Sequence, residues 1–227
     1  MKGKLIVIEG TDSSGKETQT KRAVERLAAE GFNILKVEYP NYKSQSSALV
    51  KMYLNGEFGD KASDINPYSA SAFYAVDRYA SYKKEWEKFY NNGGIIIADR
   101  YTTSNMIHQA SKISDNNGKK IYLDWLYDFE FTKMGLPVPD MVVFLNMPPD
   151  MSIKLMEMRK NKISGETEKD IHEKDSEYLR NSYMNACFIA ENYKWEKVDC
   201  SVDGNLRTIE EIGEEVYIKI KKILQDK

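Results

Sequence analysis

Cysteine and histidine are nearly missing from this chain, with two of each in 227 residues. Cys187 and Cys200 are too few for a zinc site and too isolated for a disulfide framework, so a reducing, cytoplasmic setting is the simplest reading. A charge excess is lacking too. The 33 basic and 35 acidic residues leave a net of -2, which offers no surplus to track a nucleic-acid backbone, and no nucleic-acid partner is expected. The apolar stretch near the start, KLIVIEG, is too short for the core of a signal peptide and far below the about 20 residues that span a bilayer. No membrane association is expected. Internal repeats and low-complexity linkers are absent as well, so residues 1–227 are expected to form a single domain.

What is present is alternation. Short runs rich in Val, Ile and Leu at 4–9, 33–38, 94–98, 141–146 and 197–199 read as buried strands of a parallel sheet. Amphipathic stretches at 15–30, 67–91, 150–160, 173–192 and 206–224 read as helices between and after them, a βαβ pattern that predicts an α/β fold. In the last stretch Leu206, Ile209, Ile212, Val216, Ile220 and Ile223 share one stripe, as expected of a helix closing the core.

Against that frame GTDSSGKETQT, residues 10–20, follows the first strand and opens the first helix, the context that gives G-x-x-x-x-G-K its meaning. Its glycines allow backbone N–H groups to turn toward phosphate oxygens at a helix N-terminus, and Lys16 supplies a cation for the β- and γ-phosphates. Gly10, Thr11, Asp12, Ser13, Ser14, Gly15, Lys16, Glu17 and Thr18 are thus the candidate ATP-binding residues. The pattern asks for a hydroxyl after the lysine as a magnesium ligand, and Glu17 stands there. A carboxylate is an acceptable oxygen ligand for Mg²⁺, so Glu17 is expected to serve, with Asp99 as the second metal residue and Thr18 nearer an α-phosphate oxygen. A second segment, GGIIIADRYTTSN at 93–105, ends a strand with Asp99 and Arg100 on the sheet edge where the phosphate loop opens. The plainer reading there is a surface ion pair. Likewise Phe73, Tyr74, Tyr79, Tyr82, Trp86, Phe89 and Tyr90 read by themselves as core or interface aromatics, and the charged run 159–175 as a solvated loop.

Taken together, GTDSSGKETQT, YPNY at 39–42, LNGEFGD at 54–60, FYAVDR at 73–78, DRYTTSN at 99–105, PDMVVFLNMPP at 139–149 and DIHE at 170–173 resemble the thymidylate kinase family, in order and along nearly the whole chain. The resemblance implies a P-loop nucleoside monophosphate kinase fold, a parallel sheet flanked by helices with a short lid at about 159–172. It also implies transfer of the γ-phosphoryl group of ATP to dTMP in a homodimer. By the same resemblance Asp12 approaches the sugar 3′-hydroxyl, Tyr42 lies near the acceptor phosphate, Tyr74 stacks on thymine and Arg78 hydrogen-bonds it. Arg100 clamps the acceptor phosphate, and Ser104 and Asn105 read the base edge. His108 stands where several members carry a tyrosine beside the sugar, and Ser13 occupies a loop position that carries an arginine in other members. The transition-state cation is therefore expected from the lid, with Arg159 ahead of Lys160 and Lys162. Lys16, Asp12, Arg100 and Arg159 form the expected catalytic set. Two other functions compete: a kinase of free deoxynucleosides, and a non-catalytic nucleotide binder disabled at Glu17.

Overall fold

The computed structural model describes the backbone of residues 2–162 and 176–225 and the side chains of 2–156 and 177–225. Of the expected lid at 159–172, residues 163–172 lie outside the described residues, as do the side chains of Arg159, Lys160 and Lys162.

Five strands make one parallel sheet. In chain order the elements are β1 (Lys4–Glu9), α1 (Lys16–Ala29), β2 (Ile34–Glu38), α2 (Ala48–Leu54), α3 (Pro67–Ser81), α4 (Glu87–Asn91), β3 (Ile95–Asp99), α5 (Thr102–His108) and α6 (Asn116–Tyr127). They continue with β4 (Met141–Asn146), α7 (Pro149–Lys162), α8 (Ser176–Asn192), β5 (Glu196–Asp199), a two-stranded hairpin of β6 (Ser201–Val202) and β7 (Asn205–Leu206), and α9 (Ile209–Gln225). The sheet order is β2-β3-β1-β4-β5. The chain leaves β1 toward one edge and leaves β3 toward the other, so the crevice of this open sheet falls at the carboxyl ends of these two neighbours. Their register pairs Ile8 with Asp99, and Arg100 donates its N–H to the Ile8 carbonyl at 3.2 Å.

Alternation along β1 explains the two faces. Ile6 and Ile8 join Ala23 and Leu27 of α1 and Ile212, Val216 and Ile220 of α9 in one core. Leu5 and Val7 join Tyr39, Tyr82, Trp86, Tyr90 and Tyr101 in the other. The five expected strands are all present, with Asp99 as the last residue of β3 rather than the first beyond it. The expected helix at 67–91 is interrupted by a π turn at Tyr82–Trp86, whose buried residues are Tyr82 and Trp86. The final helix starts later than the apolar stripe suggests. Leu206 ends β7 and Ile209 is half exposed, because Thr208 and Glu211 exchange hydrogen bonds as a capping box: Glu211 accepts the Thr208 N–H at 2.8 Å and Thr208 accepts the Glu211 N–H at 3.2 Å. No described helix is long and apolar enough to cross a membrane.

Candidate active site

The loop between β1 and α1 is shaped by its small residues. Gly15 has φ +85 and Ser13 φ +57. A Cβ on Gly10 would lie 2.5 Å from Ser14 Oγ and 3.1 Å from the Leu145 carbonyl oxygen. Lys16 folds back into this loop, its Nζ donating to the Thr11 carbonyl at 2.7 Å and to Ser14 Oγ at 3.4 Å. Burial lowers its pKa to about 8, with the Arg100 charge acting in the same sense and Asp12, Asp99 and Glu9 opposing. Asp12, Ser13, Ser14, Gly15, Lys16, Glu17 and Thr18 line an open cleft of about 1660 Å³ together with Asp99, Arg100, Glu38 and Leu155.

Arg100 sits where the chain turns sharply out of β3, with φ +66, a conformation that costs a non-glycine residue energy and marks an over-determined position. What determines it is a ring of partners. Nη2 donates to Asp12 Oδ1 at 2.5 Å, Nη1 donates to Ser104 Oγ at 3.1 Å and lies 3.6 Å from Glu9 Oε1. Nη1 also lies 3.2 Å from His108 Nε2. A guanidinium only donates, so Nε2 can accept here in the tautomer that carries its proton on Nδ1. Glu9 in turn accepts the Gly10 N–H at 3.0 Å, the Thr103 hydroxyl at 2.7 Å and the Ser104 hydroxyl at 2.9 Å. Burial opposes the Arg100 charge, but Asp12, Glu9 and Asp99 outweigh it and hold its pKa above the ordinary arginine value. Burial raises the pKa of Asp99, against the pull of Lys16 and Arg100.

A second cavity, about 530 Å³, opens beside the first. Its walls are Asp12, Tyr39, Pro40, Tyr42, Leu54, Tyr74, Arg78, Arg100, Tyr101, Ser104, Asn105, His108 and Gln109. Its lining of aromatic rings with a few polar groups is typical of small-molecule sites. Tyr74 is half buried and meets Tyr53 edge-on at 6.3 Å. Arg78 is buried, with Glu130 accepting from its Nε at 2.7 Å and its Nη2 at 2.6 Å. Asn105 Nδ2 reaches the Ser71 carbonyl at 3.4 Å, and Tyr42 stands exposed at the mouth.

All the predicted acceptor-side residues therefore reach one cavity, though Ser104 spends its hydroxyl on Glu9 and Arg100. Sequence reasoning missed Glu9, Gln109 and Glu130. Glu9 was visible as a carboxylate ending an apolar strand. Gln109, whose buried Oε1 has no protein partner, follows directly on the residues that were singled out. Glu130, 52 residues from its arginine, left no signal.

Among the described residues no three His, Cys, Asp or Glu side chains form a metal cage. Mg²⁺ does not need one, since one or two carboxylates plus substrate phosphates and waters suffice. Asp99 and Glu17 line the same cleft as the loop, and Lys36 feels both. Burial opposes the Lys36 charge, while Glu38, Asp99 and Glu17 together raise its pKa. Both carboxylates are of the hard oxygen-donor type that Mg²⁺ takes.

A phosphate loop and an aromatic-lined cavity that share Asp12 and Arg100 define a P-loop phosphotransferase acting between two phosphorylated ligands. The particular family follows from comparison: the thymidylate kinase profile matches residues 8–205, and the chain belongs to that family. It is similar to the thymidylate kinase of Mycobacterium tuberculosis strain H37Rv, 29% identical over 203 residues that cover 88% of this chain and 92% of the relative. The human thymidylate kinase is 30% identical over 146 residues, 64% of this chain and 62% of the relative. A probable thymidylate kinase of Pyrococcus abyssi is 26% identical over 221 residues, 97% of each. The protein is accordingly a nucleoside monophosphate kinase that phosphorylates dTMP, with ATP as the phosphoryl donor of its family.

Proposed function

We propose that the two clefts divide the reaction between them, the phosphate loop holding Mg-ATP and the aromatic cavity holding dTMP, with Arg100 and Asp12 at the line where the phosphates meet. The observation that carries this reading is that these two side chains line both clefts and are bonded to each other. In-line transfer between two anions needs exactly this kind of fixed cation at the meeting point, because positioning and charge stabilisation supply most of the catalysis. Arg100 orients the acceptor phosphate, held from behind by Ser104 and Glu9. Asp12 reaches the sugar 3′-hydroxyl, and Tyr42 closes the mouth near the acceptor phosphate. Tyr74 stacks on thymine, Arg78 and Asn105 read its edge, and His108 lies beside the ribose. Lys16 and the backbone from Gly10 to Thr18 cradle the donor phosphates.

Asp99 and Glu17 would hold Mg²⁺, which when bound would supply charge neutralisation to the donor phosphates. The donor-side cation remains Arg159, proposed on the resemblance to kinases that supply it from a lid where the phosphate loop carries no arginine. The likeness to a homodimeric family, together with exposed Val76 and Tyr79 on one helix and Leu49 on another, supports assembly as a dimer.

A coupled ADP-release assay comparing dTMP with thymidine tests the division. dTMP turns over faster, and Arg100→Ala raises its KM strongly while leaving the KM for ATP near the parent's. Faster turnover of thymidine overturns the monophosphate assignment, since an acceptor without phosphate has nothing for Arg100 to hold.

A further inference from the structure

Glu130 occupies a π turn, Asp128–Lys133, in which it is the buried residue. The widened turn carries Phe129 O to the N–H of Met134 and Glu130 O to the N–H of Leu136, both at 3.0 Å. Such turns are rare and are found frequently at functional sites. Here the turn carries Glu130, which reaches Arg78. The Glu130 carboxylate takes Nε and Nη2 as a fork at 2.7 and 2.6 Å, and its Oε2 also accepts the Thr102 hydroxyl at 2.7 Å. Arg78 and Glu130 are both shut off from solvent, at 1% and 0% exposure. Burial opposes the Arg78 charge, and Glu130 outweighs it through charge and hydrogen bonds.

We propose that Glu130 is a positioning and specificity-determining residue for the acceptor base, acting through Arg78. This rests on the reading that Arg78 faces the base, and adds what makes that arginine selective. A guanidinium carries five N–H donors. Glu130 uses two, and the Tyr101 carbonyl takes one at 3.4 Å, which leaves two for the cavity that Arg78 lines. The pairing has two consequences. It cancels the buried charge locally, so this end of the cavity suits a neutral ring rather than a second phosphate. It also fixes the direction in which the remaining donors of the guanidinium point. A 4-keto pyrimidine offers an acceptor there and is accepted, whereas a 4-amino pyrimidine offers a donor against a donor that cannot turn away. A buried ion pair contributes little net stability relative to apolar residues of the same shape, so orientation is the effect the geometry supports best.

The test is a comparison of dTMP and dCMP as acceptors for the parent, Glu130→Gln, Arg78→Ala and the double variant. Fold is checked by circular dichroism, and Thr102→Val serves as a milder second probe that keeps the charge. In Glu130→Gln the amide turns an N–H₂ toward the guanidinium and releases it. The expected result is a rise of about tenfold or more in the KM for dTMP with that for ATP little changed, and a fall of similar size in the dTMP over dCMP preference. Thr102→Val moves both in the same direction by less. In the Arg78→Ala background, Glu130→Gln has no further effect on the preference. A preference that stays at the parent's value in Glu130→Gln and in Thr102→Val overturns the inference, as does an equal loss with and without Arg78. If Arg78→Ala itself leaves the preference untouched, the base-facing reading fails instead.

Discussion

Glu17 and Lys112 are the single residues at which this chain makes its least expected choices. Glu17 stands in place of a hydroxyl, exposed on the wall of the phosphate cleft, where its charge adds to that of ATP but also offers Mg²⁺ an oxygen ligand. The helix N-terminus offsets about 0.3–1 kcal/mol of the repulsion. Glu17→Ala is expected to shift the magnesium titration of activity to higher concentration and lower kcat, with Glu17→Ser recovering part of the loss. A titration that superimposes on the parent's makes Glu17 a bystander.

Lys112 lies away from the chemistry. Its Nζ donates to Tyr53 Oη at 3.0 Å and the Ile65 carbonyl at 3.3 Å, and burial lowers its pKa to about 7 from 10.5. The folded state therefore releases this proton before the unfolded state does. Below about 7 the buried charge costs the fold its full penalty, and between 7 and 10.5 the contribution of Lys112 to stability rises with pH. Lys112→Met is expected to change stability most favourably at pH 6 and least favourably at pH 9, read from urea midpoints. A pH-independent difference would show that this lysine titrates normally.

Among the elements, the segment between β2 and α2 depends on α3 for its shape. Asp77 is buried on α3 and accepts the Asn41 N–H at 2.7 Å and the Ser46 hydroxyl at 2.6 Å, tying down both sides of Tyr42. Removing both acceptors leaves two part-buried donors short of a partner, at a cost of up to about 1–3 kcal/mol. Asp77→Ala should therefore raise the KM for dTMP several-fold by loosening the cavity mouth, with the KM for ATP affected less. Equal changes in both constants would point to general destabilisation. The inner strands β1, β3 and β4 were legible because two-sided burial demands apolar runs, whereas the edge strands β2 and β5 are only partly buried. The capping box Thr208–Glu211 was legible in principle, and overrode the apolar stripe because satisfying the first N–H groups decides where a helix starts. The π turns at Tyr82–Trp86 and Asp128–Lys133 had no such mark, since the extra residue in a turn is favoured by what its side chains meet across the fold.

For the whole molecule, the surface helices leave Val76, Tyr79, Ile121 and Tyr127 exposed, more apolar area than a solvent-facing helix requires. If these helices meet a second copy, sedimentation equilibrium gives twice the 26.2 kDa chain mass, and Val76→Glu with Tyr79→Glu shifts it to the single-chain mass. A parent that sediments as a monomer at micromolar concentration removes the dimer.

The sequence by itself determined the strand and helix alternation, the phosphate loop and the Asp99-Arg100 pair at a strand end. Each of these rests on neighbours in the chain: period, spacing and the conformational freedom of glycine. Only the tertiary structure decided that Arg100 is held by Asp12 and Ser104 against a buried Glu9, that Gln109 faces the acceptor cavity, and that Glu130 holds Arg78. These depend on strand order and on a turn in a distant helix. The physical reason is that a buried charge must find its partner in space, and the sequence separation of such a pair, 52 residues for Arg78 and Glu130, is set by the path of the chain around the sheet and carries no local pattern.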